Sequence, residues 1–381
     1  MTQIKKYTKK DGSTAYMFNA YVGRNPKTGK NVYRKRQGFK TNKQAQIALA
    51  EILKDVEENG IDNAQAILTF QQLYDKWLAQ HRMNVKPSTI ALNRRFVEGH
   101  VLPYLGECKL SDISVIQCQD LVNKWFKQGY KQYSYFRKVT AQIMRFGEAM
   151  ELMDNNPMSK TILPRAIEEE KKLQFYTKEE MSHFFDCLKQ FGNYKQLAFF
   201  RLLAFTGCRK SEVLSLQWKD IDMLNKKVSI GKTLALDENT EIIIQTPKTA
   251  SSTRSISLDD ETVRIMNNWR TIQRSDYFQM GFNTSSEDQY IFTNDRNDLY
   301  YPQVVNDWLN YLIKKYKLPR ITPHHFRHTH ASLLLQAGVP VKEVSERLGH
   351  KDVKITLEIY SHVMPEEAEK TANKFASFVG F

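Results

Sequence analysis

Between Thr322 and Tyr360 the chain is punctuated by Pro323, Gly338, Pro340 and Gly349, which divide it into three short helical stretches. Pro323 sets the first turn of one helix, Gly338 lies in the turn to the next, and Gly349 ends that second helix at Leu348. The third stretch is Val353–Tyr360. This punctuation fixes where four chemistry-bearing side chains fall. His324 and Arg327 are three apart and share a helix face, His350 stands just beyond Gly349, and Tyr360 closes the run. Such a face can present an imidazole and a bidentate guanidinium to one anion. Two blander readings stand beside it. The helices on either side of Gly338 mimic a helix-turn-helix, but the second one carries Glu343 and Glu346, so a structural helix pair fits better. His324 and His328 are four apart, as in some zinc sites, but the Glu of H-E-x-x-H and any Cys partner are missing.

The chain has 381 residues, 41% of them hydrophobic and 12% aromatic, enough for two or three packed domains. Its formal net charge of +14 suits a polyanionic partner, nucleic acid first. A basic ribosome-associated protein or a merely soluble one would share that charge. No apolar run approaches the roughly 18–20 residues of a membrane span, and Met1–Lys6 has no apolar core of a signal peptide. Four scattered cysteines, Cys108, Cys118, Cys187 and Cys208, suggest neither a disulfide framework nor a zinc spacing, and fit a reducing cytosol.

The charge is uneven. Residues 1–43 hold twelve Lys or Arg and one acid, Asp11. Here the pattern predicts strands at Lys5–Thr8, Tyr16–Val22 and Val32–Phe39, with turns at Asp11-Gly12 and Asn25–Gly29. Thr41 then caps a helix to about Asn59, apolar at Ala45, Ala48, Leu49, Ile52 and Val56, with Gly60 as its stop. Strand alternation puts Arg34 and Arg36 on one face and Tyr33 and Lys35 on the other. A small basic sheet of this kind can enter a major groove, or its charges can simply be solvated. After a linker near 60–66, residues 68–158 read as four or so helices: one capped by Thr69, one opened by Lys86-Pro87-Ser88-Thr89 and carrying Arg94, one preceded by Asp112, and one over Ser134–Met150 carrying Arg137 and Lys138. Pro103 and Gly106 interrupt the pattern. Asn156-Pro157 and the charged run Glu168–Lys172 mark a second linker. Thr177 and Glu180 then form a capping box into a mixed α/β region, with strands near Lys227–Ile230, Glu241–Thr246 and Arg254–Leu258.

Within that region Gly207 breaks an apolar helix, Arg209 falls in the turn, and Ser211-Glu212 opens the next helix. A guanidinium at such a turn is well placed for a phosphate, and Glu212 can brace it; alone, the pair is more often a surface ion pair. Lys248 sits at a hairpin tip in Thr246-Pro247-Lys248-Thr249, where a lysine is ordinarily just solvated.

Together, Arg209, Lys248, His324-x-x-Arg327, Leu348-Gly349-His350 and Tyr360 stand in the order and motif context of the tyrosine recombinases, the phage-integrase family, which the chain closely resembles over about 175–370. Phe205-Thr206-Gly207-x-Arg209-x-x-Glu212 looks like the family's first arginine box and Pro323-His324-x-x-Arg327-His328-Thr329 like its second, with Phe326 where Leu is usual. The resemblance implies a multidomain α+β fold: a small N-terminal three-stranded sheet plus helix (1–62, arm-type DNA-binding), an all-helical core-binding domain (66–160), and a mixed α/β catalytic domain with a C-terminal tail (173–381). It implies a lambda-type integrase of a phage or conjugative transposon that cleaves and rejoins double-stranded DNA through a 3′-phosphotyrosyl bond and a Holliday junction. Tyr360 would be the nucleophile, Arg209 and Arg327 the phosphate clamp, Lys248 the acid for the leaving 5′ oxygen, His324 an aid to proton transfer at the tyrosine, and His350 a phosphate ligand. Arg34, Lys35, Arg36, Lys86, Ser88, Thr89, Arg94, Arg137 and Lys138 are expected to touch DNA. No cofactor, metal or ATP is expected. The expected partners are a homotetramer on DNA, a DNA-bending host factor and an excisionase, in the cytoplasm of a bacterial host and associated with its nucleoid. The apolar tail 366–381 is expected to dock on a neighbouring protomer or back on its own. A type IB topoisomerase would share the chemistry, and a non-catalytic DNA-binding regulator would share the fold.

Overall fold

The computed structural model describes residues 3–8, 14–24, 31–59, 68–165, 174–246, 253–360 and 378–380. Gly60, the run Glu168–Lys172, Lys248 and all of the tail except 378–380 lie outside the described residues. The chain divides into two compact units, residues 1–165 and 166–381.

The first unit begins with an antiparallel sheet in the order β1 (Ile4–Thr8), β2 (Thr14–Arg24), β3 (Asn31–Phe39), followed by α1 (Asn42–Asn59). Thr41 accepts from the Gln44 amide at 3.2 Å, as its capping role requires. Phe18, Ala20 and Val22 of β2 bury against Ala45, Leu49 and Ile52 of α1. Register then decides the basic residues of β3. Arg34 pairs with Ala20 and Arg36 with Phe18, on the side that faces the helix, whereas Lys35 pairs with Asn19 and Tyr33 with Tyr21 on the open side. The two tyrosines meet there with ring centres 5.4 Å apart.

The helical part of this unit comprises α2 (Phe70–Arg82), α3 (Pro87–Phe96), α4 (Leu102–Leu105), α5 (Val115–Lys127) and α6 (Tyr133–Ala149). Thr69 and Gln72 cap α2 reciprocally. Ser114 caps α5, its Oγ accepting the Gln117 amide at 3.1 Å. Pro103 does not end the helical run. The backbone widens into a π turn over Val97–Val101 and continues into α4, which accommodates a residue with no N–H to give; Gly106 follows α4. Trp125, fully buried beside Phe136, donates its indole N–H to the His100 carbonyl at 3.0 Å.

The second unit holds α7 (Lys178–Phe191), α8 (Tyr194–Thr206), α9 (Lys210–Leu214), β4 (Ile221–Asp222), β5 (Lys227–Ile230), β6 (Thr233–Leu236), β7 (Ile242–Gln245), β8 (Arg254–Ser257), α10 (Asp260–Gln279), α11 (Gln303–Tyr316), α12 (His325–Gln336), α13 (Val341–Leu348) and α14 (Val353–Tyr360). Its strands form a sheet β4-β5-β8 and a hairpin β6-β7, both antiparallel. The apolar helix α8 lies in the middle of the core, against α10 and α12. Phe326 packs among Tyr176, Phe184 and Phe200 with ring centres 5.0–6.1 Å apart, so its extra volume over Leu is filled aromatic space. Val344, Leu348, Ala331 and Leu335 make a smaller core with Tyr360, so the Gly338 turn is scaffold for the tyrosine rather than a recognition motif. Among the described residues no helix is long and apolar enough to cross a membrane.

Arg137 takes a structural place. Its guanidinium donates to Thr161 Oγ1 at 3.1 Å, to the Ser159 carbonyl at 2.7 Å and to the Thr161 carbonyl at 3.2 Å, tying α6 to the 3₁₀ turn Pro157–Lys160. Arg137→Ala is therefore expected to destabilise the protein by about 1–3 kcal/mol, lowering the thermal midpoint, because three acceptors lose their donor. The salt dependence of DNA binding should stay as in the wild type; a shallower slope would place Arg137 on a phosphate instead.

Candidate active site

The site is built around the C-terminal end of α8. The last carbonyls of a helix have no partner within it. Here side chains from α12 and α13 supply donors. His330 bonds to the backbone of Ala204, Arg347 donates to the Phe205 carbonyl at 3.0 Å, and Arg327 donates to the Gly207 carbonyl at 3.0 Å. Gly207 makes this possible. It sits at φ +66°, and a Cβ there would lie 2.7 Å from His330 Cδ2 and 2.8 Å from Leu348 Cδ2.

Arg209 is the N-cap residue of α9, with its backbone N–H on Glu212 Oε2 at 2.9 Å and its guanidinium on Oε1 at 2.9 Å. Glu212, 5% exposed, also receives Arg254 Nη2 at 2.9 Å. Burial opposes its charge, but the Arg254 hydrogen bond and the charges of Arg254 and Arg209 hold the carboxyl below its ordinary range. Arg254 also donates to the Arg347 carbonyl at 2.9 Å, and Arg347 to the Ser257 carbonyl at 3.1 Å, so β8 and α13 are tied twice. Nothing in the sequence around Arg254 marks it for this role; it opens a predicted strand and its partners are 42 and 93 residues away.

Arg327 is 2% exposed, and its Nη2 has no hydrogen-bond partner among the described residues. Burial and the nearby Arg209 and Arg254 charges bring it down to about 10, still cationic at neutral pH. A buried guanidinium with one donor unspent is suited to an incoming anionic oxygen. Arg209, with its side chain 43% exposed, can share that anion.

His324, Arg327, His350 and Tyr360 gather here with Arg209, each feeling the charge of at least one of the others. His350 Nδ1 bonds to Thr356 Oγ1 at 2.8 Å. Burial, then Arg327, Arg209 and Arg254, lower His350 to about 4. His324, though an exposed residue, is lowered too, by desolvation and then by Arg327 and Arg209 beside it. Tyr360, 1% exposed, is pushed by burial up to about 12 against the pull of Arg327. Its hydroxyl bonds to His328 Nδ1 at 2.7 Å, a contact the spacing of the second arginine box does not reveal. Among the described residues no group of three or more His, Cys, Asp or Glu side chains is placed to hold a metal ion.

The residues expected to touch DNA belong to the first unit. Lys86 is the N-cap residue of α3, with Ser88 and Thr89 in its first turn, all half-buried. Arg94 pairs with Glu98 at 2.7 Å, and Lys138 is exposed on α6. On the sheet, Lys35 belongs to the open face, while Arg34 and Arg36 belong to the helix-facing side.

Residues 174–367 match the phage integrase family, 69–126 the N-terminal SAM-like domain of phage integrases, and 3–56 an arm DNA-binding domain. The chain is 27% identical over 368 residues to the ICEBs1 integrase of Bacillus subtilis, covering 94% of this chain and 96% of that protein. It is 26% identical over 348 residues to the transposase of transposon Tn916 from Enterococcus faecalis, covering 84% and 80%. Its fold is similar to the Tn1549 transposon integrase in complex with a circular intermediate DNA (TM-score 0.67, 21% identity, 81% of this chain and 100% of that one). It is also similar to a lambda integrase tetramer bound to a Holliday junction (TM-score 0.56, 16% identity, 95% and 96%).

The histidines make an acid-sensitive core. His328 and His350 are lowered to about 4 and His330 to about 3, each first by burial. An unfolded histidine titrates near 6.5. Between that value and about 4 the unfolded chain binds more protons, so these groups remove stability as pH falls and have no such effect above it. Urea midpoints should fall from pH 6.5 to pH 4.5, and fall less in His330→Asn.

Proposed function

Because the chain belongs to the phage integrase family, we propose that it is a site-specific DNA recombinase that integrates and excises a mobile element. It cleaves and rejoins double-stranded DNA through a 3′-phosphotyrosyl intermediate and a Holliday junction, as a homotetramer on DNA. The observation that carries this reading is the pairing of a buried Arg327 with one unspent donor and a Tyr360 hydroxyl in the same charged cluster. Relatives that span nearly the whole chain support the element type.

In this reading the Tyr360 oxygen attacks the scissile phosphorus while Arg209 and Arg327 hold the non-bridging oxygens. His350 donates to the same phosphate. Its Nδ1 faces Thr356, which leaves Nε2 for the phosphate. Lys248 protonates the 5′ oxygen as it leaves. The ester conserves the strand's bond energy, so rejoining needs no ATP, and no step calls for a metal. Glu212 fixes Arg209 and Arg254 rather than touching DNA.

Three parts divide the binding. Residues 1–62 take arm sites, with Lys35 and the tyrosine pair on the open sheet face; 66–160 grip the core site through Lys86, Ser88, Thr89, Arg94 and Lys138; and 173–381 carry catalysis. The tail, 366–381, docks on a neighbouring protomer. A DNA-bending host factor and an excisionase complete the assembly, in the nucleoid of a bacterial cytoplasm.

A nicked suicide duplex carrying the element's own junction sequence tests the chemistry. Wild type should trap a covalent protein–DNA adduct in EDTA as well as without it, and Tyr360→Phe should trap none. Loss of the adduct in EDTA, or an adduct from Tyr360→Phe, would refute the mechanism. Deleting residues 1–60 should weaken binding to distal arm sites and reduce its salt slope, since fewer phosphate contacts release fewer counterions, while leaving core-site cleavage intact. Gel-shift titrations over a salt series read both quantities.

A further inference from the structure

The Tyr360 hydroxyl is bonded to a residue outside the six matched by resemblance. His328 follows Arg327 on α12, and its Nδ1 lies 2.7 Å from the phenol oxygen, with ring centres 5.7 Å apart. His324, expected to assist the tyrosine, instead meets His328 edge-on at 4.8 Å between ring centres and makes no bond to Tyr360 among the described residues. The two imidazoles are four apart on one helix face, so α12 presents both toward the cluster but only one to the nucleophile. We infer that His328 takes the Tyr360 proton during strand cleavage and returns it during rejoining. The inference rests on the recombinase reading above and assigns a base to it.

The protonation states fit this direction of transfer. Tyr360 is a phenol at neutral pH with one proton to donate. His328 is a neutral ring, lowered to about 4 by burial and then by His324, His325, Arg327 and His350. With its proton on Nε2, the ring offers Nδ1 as an acceptor. The groups facing it are His324, His325 and Arg327 on its own helix, His350 from the α13–α14 connection, and Tyr360 itself. The two pKa values are too far apart for a free phenolate to form ahead of attack. Transfer therefore accompanies P–O bond formation, when the phenol oxygen loses its affinity for the proton. The arriving phosphodiester also adds negative charge near an imidazole that otherwise sees only cations and neutral rings, which raises its basicity.

The atoms balance. The Tyr360 O–H bond breaks and its proton moves to His328 Nδ1. The tyrosyl O–P bond forms, the bond from phosphorus to the 5′ oxygen breaks, and that oxygen takes a proton from Lys248. In rejoining, the 5′ hydroxyl gives its proton back to the neutral Lys248 amine as it attacks phosphorus, the tyrosyl O–P bond breaks, and the departing tyrosyl oxygen recovers its proton from the His328 imidazolium.

Single-turnover cleavage of the suicide duplex by full-length protein decides the matter, with thermal melting and gel shifts verifying fold and DNA binding. His328→Asn keeps an acceptor near the Nδ1 position but cannot hold a proton at neutral pH. It should bind as wild type does and form adduct at least about 100-fold more slowly. His328→Ala should be similarly slow and be accelerated by added imidazole. A His328→Asn rate within about threefold of wild type, or a slow His328→Ala that imidazole fails to speed, overturns the assignment while wild-type adduct formation stands. Absence of any wild-type adduct would instead remove the recombinase reading, and the assignment with it.

Discussion

One buried carboxylate, Glu212, holds two guanidiniums, and two more rest on nearby helix-end carbonyls. Arg209 and Arg254 share Glu212, while Arg327 and Arg347 are held by the backbone at Gly207 and Phe205. The C-terminal end of a helix carries only about half a negative charge. The cluster therefore retains a surplus of positive charge in a desolvated place. That arrangement is unfavourable on its own, as the lowered ionisation of Arg327 shows. It becomes favourable when an anion enters. Much of the surrounding architecture serves to hold these cations in place: the left-handed Gly207, the double tie between β8 and α13, and the seating of α12 against α8.

The same field sets the protonation of everything near it. Cations and burial keep His324, His328 and His350 neutral where free imidazole would be partly charged. Neutral rings can accept as well as donate, which a site handling a phenol and a phosphate requires. Bound phosphate offsets part of the local positive field, so proton positions and substrate occupancy are linked.

The parts of this site legible in the sequence are those set by local backbone grammar. Gly207 announces the end of α8 and places Arg209; Pro323 starts a helix on which His324 and Arg327 share a face; Gly349 leaves His350 just beyond α13. The caps at Thr69 and Thr177 are equally local. The unread parts depend on contacts across long stretches of chain. Arg254 finds Glu212 only once β8 and α9 have packed, and His328 finds Tyr360 only once α14 has docked. Charge on a helix or strand says little until packing is known: among the basic candidates of the N-terminal modules, Arg137 satisfies carbonyls of its own module. Pro103 likewise follows a widened turn rather than ending the run, because at the start of α4 its missing N–H costs no helix bond.

Helix α14 has only eight residues, yet its buried face carries two links to the site. Thr356 holds His350, and Tyr360, one turn later, holds His328. Lifting the helix would take away the nucleophile and leave a phosphate-binding ring without its anchor in the same motion. The guanidiniums of Arg209 and Arg327, held by Glu212 and the Gly207 carbonyl, do not depend on this helix, so nucleophile and ring anchor are coupled to each other but not to the clamp. One short helix thus sets the position of the phenol and the orientation of an imidazole together.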